Sequence, residues 1–276
     1  MHGKFYGITR YKGYFILTRT NHLNLDKSQR DSEIIAIKID ENKIIDYKTL
    51  LHKIPGEIHQ IDVINDNLYI PHTNYNHLLI ISMDKLFNSD DNQIPKNILS
   101  CNFLTLDIKK PSHLNSLYYY EEKNKAYLYL IAHNSTAHTG KNSDIIKLYT
   151  SHSNPKVKDW KIESIINTLA HSAHNIYCEN GKLFYCDSNN GCLIYGNQVL
   201  FNNDCLLRGL SIIENGYFIG GSDIDFTGAK RSESNCRIFY VNKEGKHLGT
   251  LELPNQGNIY EIRQLSCDDY SISMYK

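Results

Sequence analysis

The chain has 276 residues, 41% of them hydrophobic, and its 30 basic residues are balanced by 30 acidic ones. This is enough to bury a sizeable core in one body, and the absence of net charge makes nucleic acid and anionic membrane poor partners. Residues 1–17 lack the basic start, apolar centre and small-residue cleavage site of a signal peptide, and no run approaches the roughly 18 apolar residues of a membrane helix, so a soluble cytoplasmic protein is expected.

Twenty tyrosines and many β-branched residues favour strands, while Asn, Lys and Asp clusters supply turns. In chain order the first unit has strands at 6–9, 14–18, 33–39 and 43–47, with 21–30 as an exposed loop. The second has 60–63, 68–70, 77–83 and 97–103, with a short helix or turn at 84–88. The third has 114–120, 126–131, 144–149 and 160–163, and 162–169 holds enough helix formers for a short helix. The fourth has 174–178, 182–186, 192–195 and 198–201. The fifth has 210–213, 217–219, 236–241 and 247–251, and a reduced sixth has 260–264 and 270–274.

A short phrase recurs through these units: a polar residue opens an apolar run, and a turn rich in Gly, Asn, Lys or Asp follows six to eight residues later. It reads Tyr6-Gly7-Ile8, His59-Gln60-Ile61, Asn115-Ser116-Leu117 and His174-Asn175-Ile176, with looser copies at Gly209-Leu210 and Glu261-Ile262. Repeats of short strands at this period predict an all-β protein, a β-propeller in a single domain over 1–276, with four short antiparallel strands per blade. Six blades are expected. Five result if the last strand pair completes the first unit.

In a propeller the first strand of each blade lines the central channel, so the phrase openers of different units would converge there. Counting back from the turns aligns Tyr6, His59, His174, Gly209 and Glu261, and a longer spacing adds Asn115. Two imidazoles, a carboxylate and an amide suit a divalent ion (Zn, Mn, Fe or Ca) held by His59, Asn115, His174 and Glu261. The other reading of the same ring is a channel of polar groups solvated by water. His113, His171 and Arg208 lie within three residues of these positions and Asp187 ends a second strand. His113 or His171 is then a candidate general base, Arg208 a carboxylate fork, and Tyr6 and Asp187 substrate contacts. The polar loop 224–233 brings Lys230 and Arg231 toward one channel mouth.

Other signals point elsewhere. His133 and His138 flank a loop and are expected to be exposed. The seven cysteines are odd in number and show no C-x-x-C spacing, which argues against a disulfide framework or a zinc ribbon. No G-x-S-x-G elbow, phosphate-binding glycine loop, Rossmann fingerprint or H-E-x-x-H helix occurs.

The segment Pro111-Ser112-His113-Leu114-Asn115-Ser116-Leu117 resembles the HLNGLA phrase of an uncharacterised bacterial propeller-like family, a domain of unknown function (DUF4915). Three further stretches are similar in order. They are Ala170-His171-Ser172 with Gly181-Lys182-Leu183-Phe184 and Asp187-Ser188-Asn189-Asn190-Gly191, then Leu207-Arg208-Gly209-Leu210 with Gly220-Gly221-Ser222, and finally Asn258-Ile259-Tyr260-Glu261-Ile262. The resemblance implies a propeller and places His113, Asn115, His171 and Arg208 on matching positions. His174 departs from the family phrase, so a metal site using it is not carried over, and the family supplies no established reaction.

Two functions are expected from this pattern. One is a metal-assisted hydrolase or lyase acting on a small polar or carboxylated substrate, a sugar acid, lactone or related metabolite, in the central channel. The alternative is a non-catalytic binding module for a glycan or protein.

Overall fold

The computed structural model describes residues 4–20, 30–73, 76–88, 103–105, 113–122, 124–134, 140–152, 155–224 and 233–264. Its strands form five antiparallel four-stranded sheets, each a meander in which neighbours pair in sequence order. Blade 1 holds β1 (Lys4–Tyr11), β2 (Tyr14–Thr20), β3 (Asp31–Asp40) and β4 (Lys43–Pro55). Blade 2 holds β5 (Asp62–Ile64), β6 (Asn67–His72), β7 (His77–Ser82) and β8 (Phe103–Thr105), with helix α1 (Met83–Asn88) after β7. Blade 3 holds β9 (Leu114–Glu122), β10 (Lys125–Ala132), β11 (Asp144–Thr150) and β12 (Lys161–Asn167). Blade 4 holds β13 (Ala173–Glu179), β14 (Lys182–Asp187), β15 (Cys192–Tyr195) and β16 (Gln198–Asn202). Blade 5 holds β17 (Leu206–Ile213), β18 (Gly216–Ser222), β19 (Cys236–Asn242) and β20 (His247–Leu253).

The fold is all-β, a β-propeller of five four-stranded blades. Five is the smaller of the two counts the sequence allowed, and the preferred sixth blade is not found among the described residues. Residues 260–264, expected to open it, belong to no strand, and 270–274 lie outside the described residues. Blade 1 has four strands of its own. The short helix expected at 162–169 is instead β12, because Ile162, Ile165 and Ile166 suit a ladder with β11 better than a helical turn.

The chain divides into two compact units. The first contains blades 1 to 3 except the strand-end residues Asp144 and Asn167. The second contains blades 4 and 5, with residues 133–144 and 167–264.

Hairpin turns follow the sequence signals. Lys12-Gly13, Asn65-Asp66 and Asn180-Gly181 each join two strands through two residues with φ between 47° and 81°. A type I′ turn requires this left-handed pair, and its twist matches that of the flanking strands.

In the first unit, blade 2 is buried on both faces, and the period of two is visible in its side chains. Leu68 and Ile70 of β6 and Leu79 and Ile81 of β7 pack with Ile16, Ile34 and Ile54 of blade 1. Tyr69, Leu78 and Ile80 pack with Leu117, Leu128, Leu130, Leu148 and Trp160 of blade 3. Each such aliphatic side chain contributes about 1.5–3 kcal/mol by leaving water. In the second unit the aromatic side chains do the equivalent work. Phe184 stacks on Tyr195 at 4.2 Å and packs against Tyr217 at 5.3 Å, and Phe201 meets Phe239 at 5.4 Å.

Candidate functional site

Every blade interrupts its first pairing, and the extra residue falls in the first strand or, in blade 2, in the segment that leads into it. In blade 1, Tyr6 and Gly7 stand opposite Thr18 between the pairs Phe5–Arg19 and Ile8–Leu17. In blade 2, His59, Gln60 and Ile61 face Ile70 and Pro71, between the Ile58–His72 bridge and the Asp62–Tyr69 pair. In blade 3, Asn115 is the extra residue between the pairs Leu114–Ala132 and Ser116–Ile131. Asn175 and Ile176 face Tyr185 in blade 4, and Arg208 and Gly209 face Gly220 in blade 5. An excess of one residue is a β-bulge, which bends a strand and re-aims its side chains. Five of the six copies of the recurring phrase fall at this bulge, and the sixth, Glu261-Ile262, lies in no strand.

The residues at the bulges explain why they form. Asn175 (φ 51°) and Gly209 (φ 78°) occupy the left-handed region, which Asn and Gly enter at least cost. Gly7 is needed for closeness, since a Cβ there would overlap the His59 carbonyl oxygen.

Hydrogen bonds link bulge to bulge inside the first unit. Gly7 N donates to Thr18 Oγ1 (2.8 Å), and that hydroxyl donates to His59 O (3.4 Å). Gln60 N donates to Asn115 O (3.0 Å), and Leu117 N donates to Gln60 Oε1 (3.3 Å). Around them Tyr6 stacks on His59 (4.9 Å between centroids, 18° between planes), and the half-buried His113 meets His59 edge-on at 5.3 Å. The first unit thus brings together Tyr6, His59, His113 and Asn115, and its bulge residues include no carboxylate or guanidinium.

The second unit differs in chemistry. Gly209 N donates to Asn175 Oδ1 (2.8 Å), and Asn175 Nδ2 donates to Glu261 Oε2 (3.0 Å). Arg263 Nε lies 3.1 Å from Glu261 Oε1, and both side chains are more than nine-tenths buried. The Arg208 guanidinium, on a residue only 8% exposed, lies 5.6 Å from the centre of the Tyr260 ring. Burial pushes the Cys186 thiol up, with Glu261 and Asp187 adding to the rise and Arg208 opposing it, so this thiol is inert as a nucleophile while reporting the field of all three. Burial also raises the Asp187 carboxyl, against hydrogen bonds from Asn190 Nδ2 (2.8 Å) and the His171 amide (2.9 Å).

His174 is 4% exposed. Its Nδ1 lies 2.7 Å from the Ser172 carbonyl oxygen and 2.9 Å from Ser188 Oγ. A carbonyl only accepts, so Nδ1 is the donor in the contact with Ser172. Ser188 therefore has no base in Nδ1 and does not form a nucleophilic dyad with His174. His133, expected to be exposed, is half-buried with its ring 5.2 Å from that of His174.

The second unit thus gathers His174, Asp187, Arg208 and Glu261 from the predicted set. The His171 side chain is exposed, and it is its amide that takes part. Lys230 and Arg231 lie outside the described residues. Gln60, Ser172, Asn175, Ser188 and Arg263 were missed. The signal for Gln60 and Asn175 was present, because both are the second residue of the repeated phrase, behind the histidine that drew the eye.

The donors give a poor fit to a divalent ion. Among the described residues no three His, Cys, Asp or Glu side chains form a group that could hold a metal. Glu261 has one oxygen on Asn175 and the other on a guanidinium, whose positive charge disfavours a cation beside it.

No family model matches the chain, and no curated protein matches it. Solved structures do. The Nidogen/Laminin complex aligns with a TM-score of 0.58 at 9% identity, over 94% of this chain and 84% of that one. The Neurospora crassa Pan2 WD40 domain gives 0.52 at 7% identity, over 92% and 67%. The computationally designed Ika8 protein gives 0.47 at 8% identity, and this chain, matched over 94% of its length, spans 65% of that protein. At such identities the first two likenesses bear on the fold alone.

Proposed function

We propose that the chain is a hydrolase or lyase for a small carboxylated metabolite, of the sugar-acid or lactone kind, bound at the blade 4 and blade 5 bulges. The observation that supports this reading is that the blade 4 and blade 5 bulges, beside which the buried His174 and Arg208 stand, are tied directly to each other by the bond from Gly209 N to Asn175 Oδ1. Arg208 grips a carboxylate through two parallel N–H···O bonds, and its charge stabilises the oxyanion or enolate that develops. His174 Nε2 takes the proton, from water in hydrolysis or from the carbon beside the carboxylate in elimination. Asn175 and Glu261 hold the two bulges in register while this happens.

Titration calorimetry with a panel of sugar acids and aldonolactones tests the reading. Wild type is expected to bind carboxylates, Arg208→Lys to weaken binding roughly tenfold because the fork is lost, and His174→Gln to abolish turnover while still binding. Failure of every carboxylate to bind overturns it. Metal analysis of the same preparation decides the expected Zn, Mn, Fe or Ca: a stoichiometric ion that disappears in a His59→Ala, His174→Ala double variant would add the ion to the site.

A binding module for a protein or glycan is the second reading, and one observation favours it. The hairpin of β3 and β4 exposes Ile39, Ile44, Ile45 and Tyr47, each 41–56% accessible, with Ile39 and Ile44 paired across the strands. Apolar groups grouped on a surface are a usual mark of recognition.

A further inference from the structure

The run Asp187-Ser188-Asn189-Asn190-Gly191 is a clamp: Asp187, Ser188 and Asn189 reach residues 171–174, and Asn190 holds Asp187. We infer that this turn positions His174 and fixes its Nδ1–H tautomer, making Asp187, Ser188 and Asn189 positioning residues; the inference rests on the reading of His174 as the base. It also gives Asp187 a different task from the substrate contact expected of it.

The argument follows the chain. β14 ends at Asp187, and Ser188–Asn190 form a single 3-10 turn closed by Gly191 at φ 62°, where a Cβ would overlap the Asn203 carbonyl oxygen. The turn thus has one backbone course, and four consecutive side chains leave it in fixed directions. Asp187 Oδ1 accepts the His171 amide at 2.9 Å, Ser188 Oγ lies 2.9 Å from His174 Nδ1, and Asn189 Nδ2 donates to Ser172 Oγ at 2.9 Å. Asn190 Nδ2 donates back to Asp187 Oδ2 at 2.8 Å, which holds the carboxylate in place.

The stretch they hold, 170–173, is pinned from its other side by Ser143. Ser143 N donates to Ala170 O (3.0 Å), and Ala173 N donates to Ser143 Oγ (2.9 Å). Ser172 lies between these fixed points at φ 64°, a left-handed conformation that a serine keeps only where its surroundings impose it. The result is a carbonyl directed at His174 Nδ1 from 2.7 Å. With the proton on Nε2 instead, the Nδ1 lone pair would face the carbonyl lone pairs at that separation, so the clamp selects one tautomer.

Long-range proton–nitrogen correlation NMR on uniformly 15N-labelled protein above pH 7.5 reads this directly, with His174→Gln assigning the resonances. Wild type is expected to show the Nδ1–H pattern for His174. In Asn189→Ala the Nδ1–H to Nε2–H ratio is expected to fall roughly tenfold, the effect of loosening one hydrogen bond, with the backbone spectrum otherwise kept. An Nε2–H pattern in wild type overturns the inference, as does a ratio unmoved in both Asn189→Ala and Asp187→Asn. Wild type alone decides the tautomer, so a variant that fails to fold does not remove the test. If the Nδ1–H pattern is found while no carboxylate binds, the clamp stands and the proposed activity falls.

Discussion

The bulges of blades 1 to 3 and those of blades 4 and 5 share a backbone design, one extra residue in or leading into the first strand, but not its contents. In the first unit the design is filled by Tyr6, Gly7, His59, Gln60 and Asn115, joined by main-chain bonds, an amide and stacked rings. In the second, Asn175 ties the bulges to Glu261, and a buried Arg208, Arg263 and Asp187 crowd the same few turns of chain. Burying charge is costly unless it is paired, and a paired buried charge adds little to stability over an apolar replacement. The first unit also keeps a carboxylate beside its bulges, Asp62 at 1% exposed, but satisfies it with the Thr9 hydroxyl and the Val63 amide. What the second unit adds beside its bulges is Arg208 and the Glu261–Arg263 pair, and the proposed activity draws on these groups.

Breaking the bulge itself should produce the largest effect, and a different one in each unit. Gly7→Ala sets a methyl against the His59 carbonyl oxygen, an atom of the backbone that has no rotamer to retreat into, and is expected to cost more than about 3 kcal/mol in urea unfolding. Gly209→Ala brings strain at φ 78°, but its nearest neighbours are the side-chain carbons of Ile259 and Ile262 at 3.0 Å, which can shift. Roughly 1–2 kcal/mol is expected there. Equal losses would mean that the two bulges are held in the same way.

Acid should separate the units next. Burial, and to a smaller extent the nearby His77, lowers His72 of the first unit to about 4 from 6.5. The folded chain keeps this ring neutral while the unfolded chain protonates it, so its contribution is intact above pH 6.5 and is lost progressively down to about pH 4, by up to about 3 kcal/mol. Asp187 of the second unit has the opposite sign. Its raised carboxyl keeps its proton longer when folded, so the second unit is penalised as pH climbs from the ordinary carboxylate value toward the raised one. Urea unfolding at pH 4.5 and 7 should show the loss in wild type and a smaller one in His72→Gln. A variant with the wild-type acid slope would remove His72 as its source.

The sequence showed the repeated phrase but not that it marks a bulge. The phrase openers Tyr6, His59, Asn115 and His174 all lie at or beside the extra residue, because a bulge needs a tolerant or re-aimed residue at a fixed distance from the hairpin turn, and both leave marks in composition. The blade count was harder to read. Residues 258–264 carry the same kind of phrase as a strand, but here it serves to bring Glu261 onto Asn175 and Ile259 against Gly209 and Gly220. Nor could spacing have shown that the Asp187–Asn190 turn folds back on 171–174, a tertiary contact that no local period records. Arg263 as a partner of Glu261 was hidden for the same reason: a carboxylate looks alike in sequence whether its partner is an ion or a guanidinium.

The smallest expected difference concerns the ion pairs at the edges of each unit. In the first, Arg19 holds Glu33 through Nε at 3.0 Å and through Nη2, with both side chains less than a fifth exposed. In the second, Lys243 reaches Glu179 at 3.3 Å with both side chains 29% exposed, and it also lies over the Tyr217 ring at 5.1 Å. A two-pronged pair with little water around it loses more when one prong is removed, so Glu33→Gln is expected to cost about 1 kcal/mol and Glu179→Gln about 0.5 kcal/mol. Raising the salt from 0.1 to 1 M in the same unfolding experiment distinguishes the causes, since screening shortens the reach of an exposed pair from about 10 Å to 3 Å. The Glu179→Gln difference should vanish at high salt and most of the Glu33→Gln difference should persist. Loss of both would show that the Arg19 pair is as open to solvent as its counterpart, despite its burial.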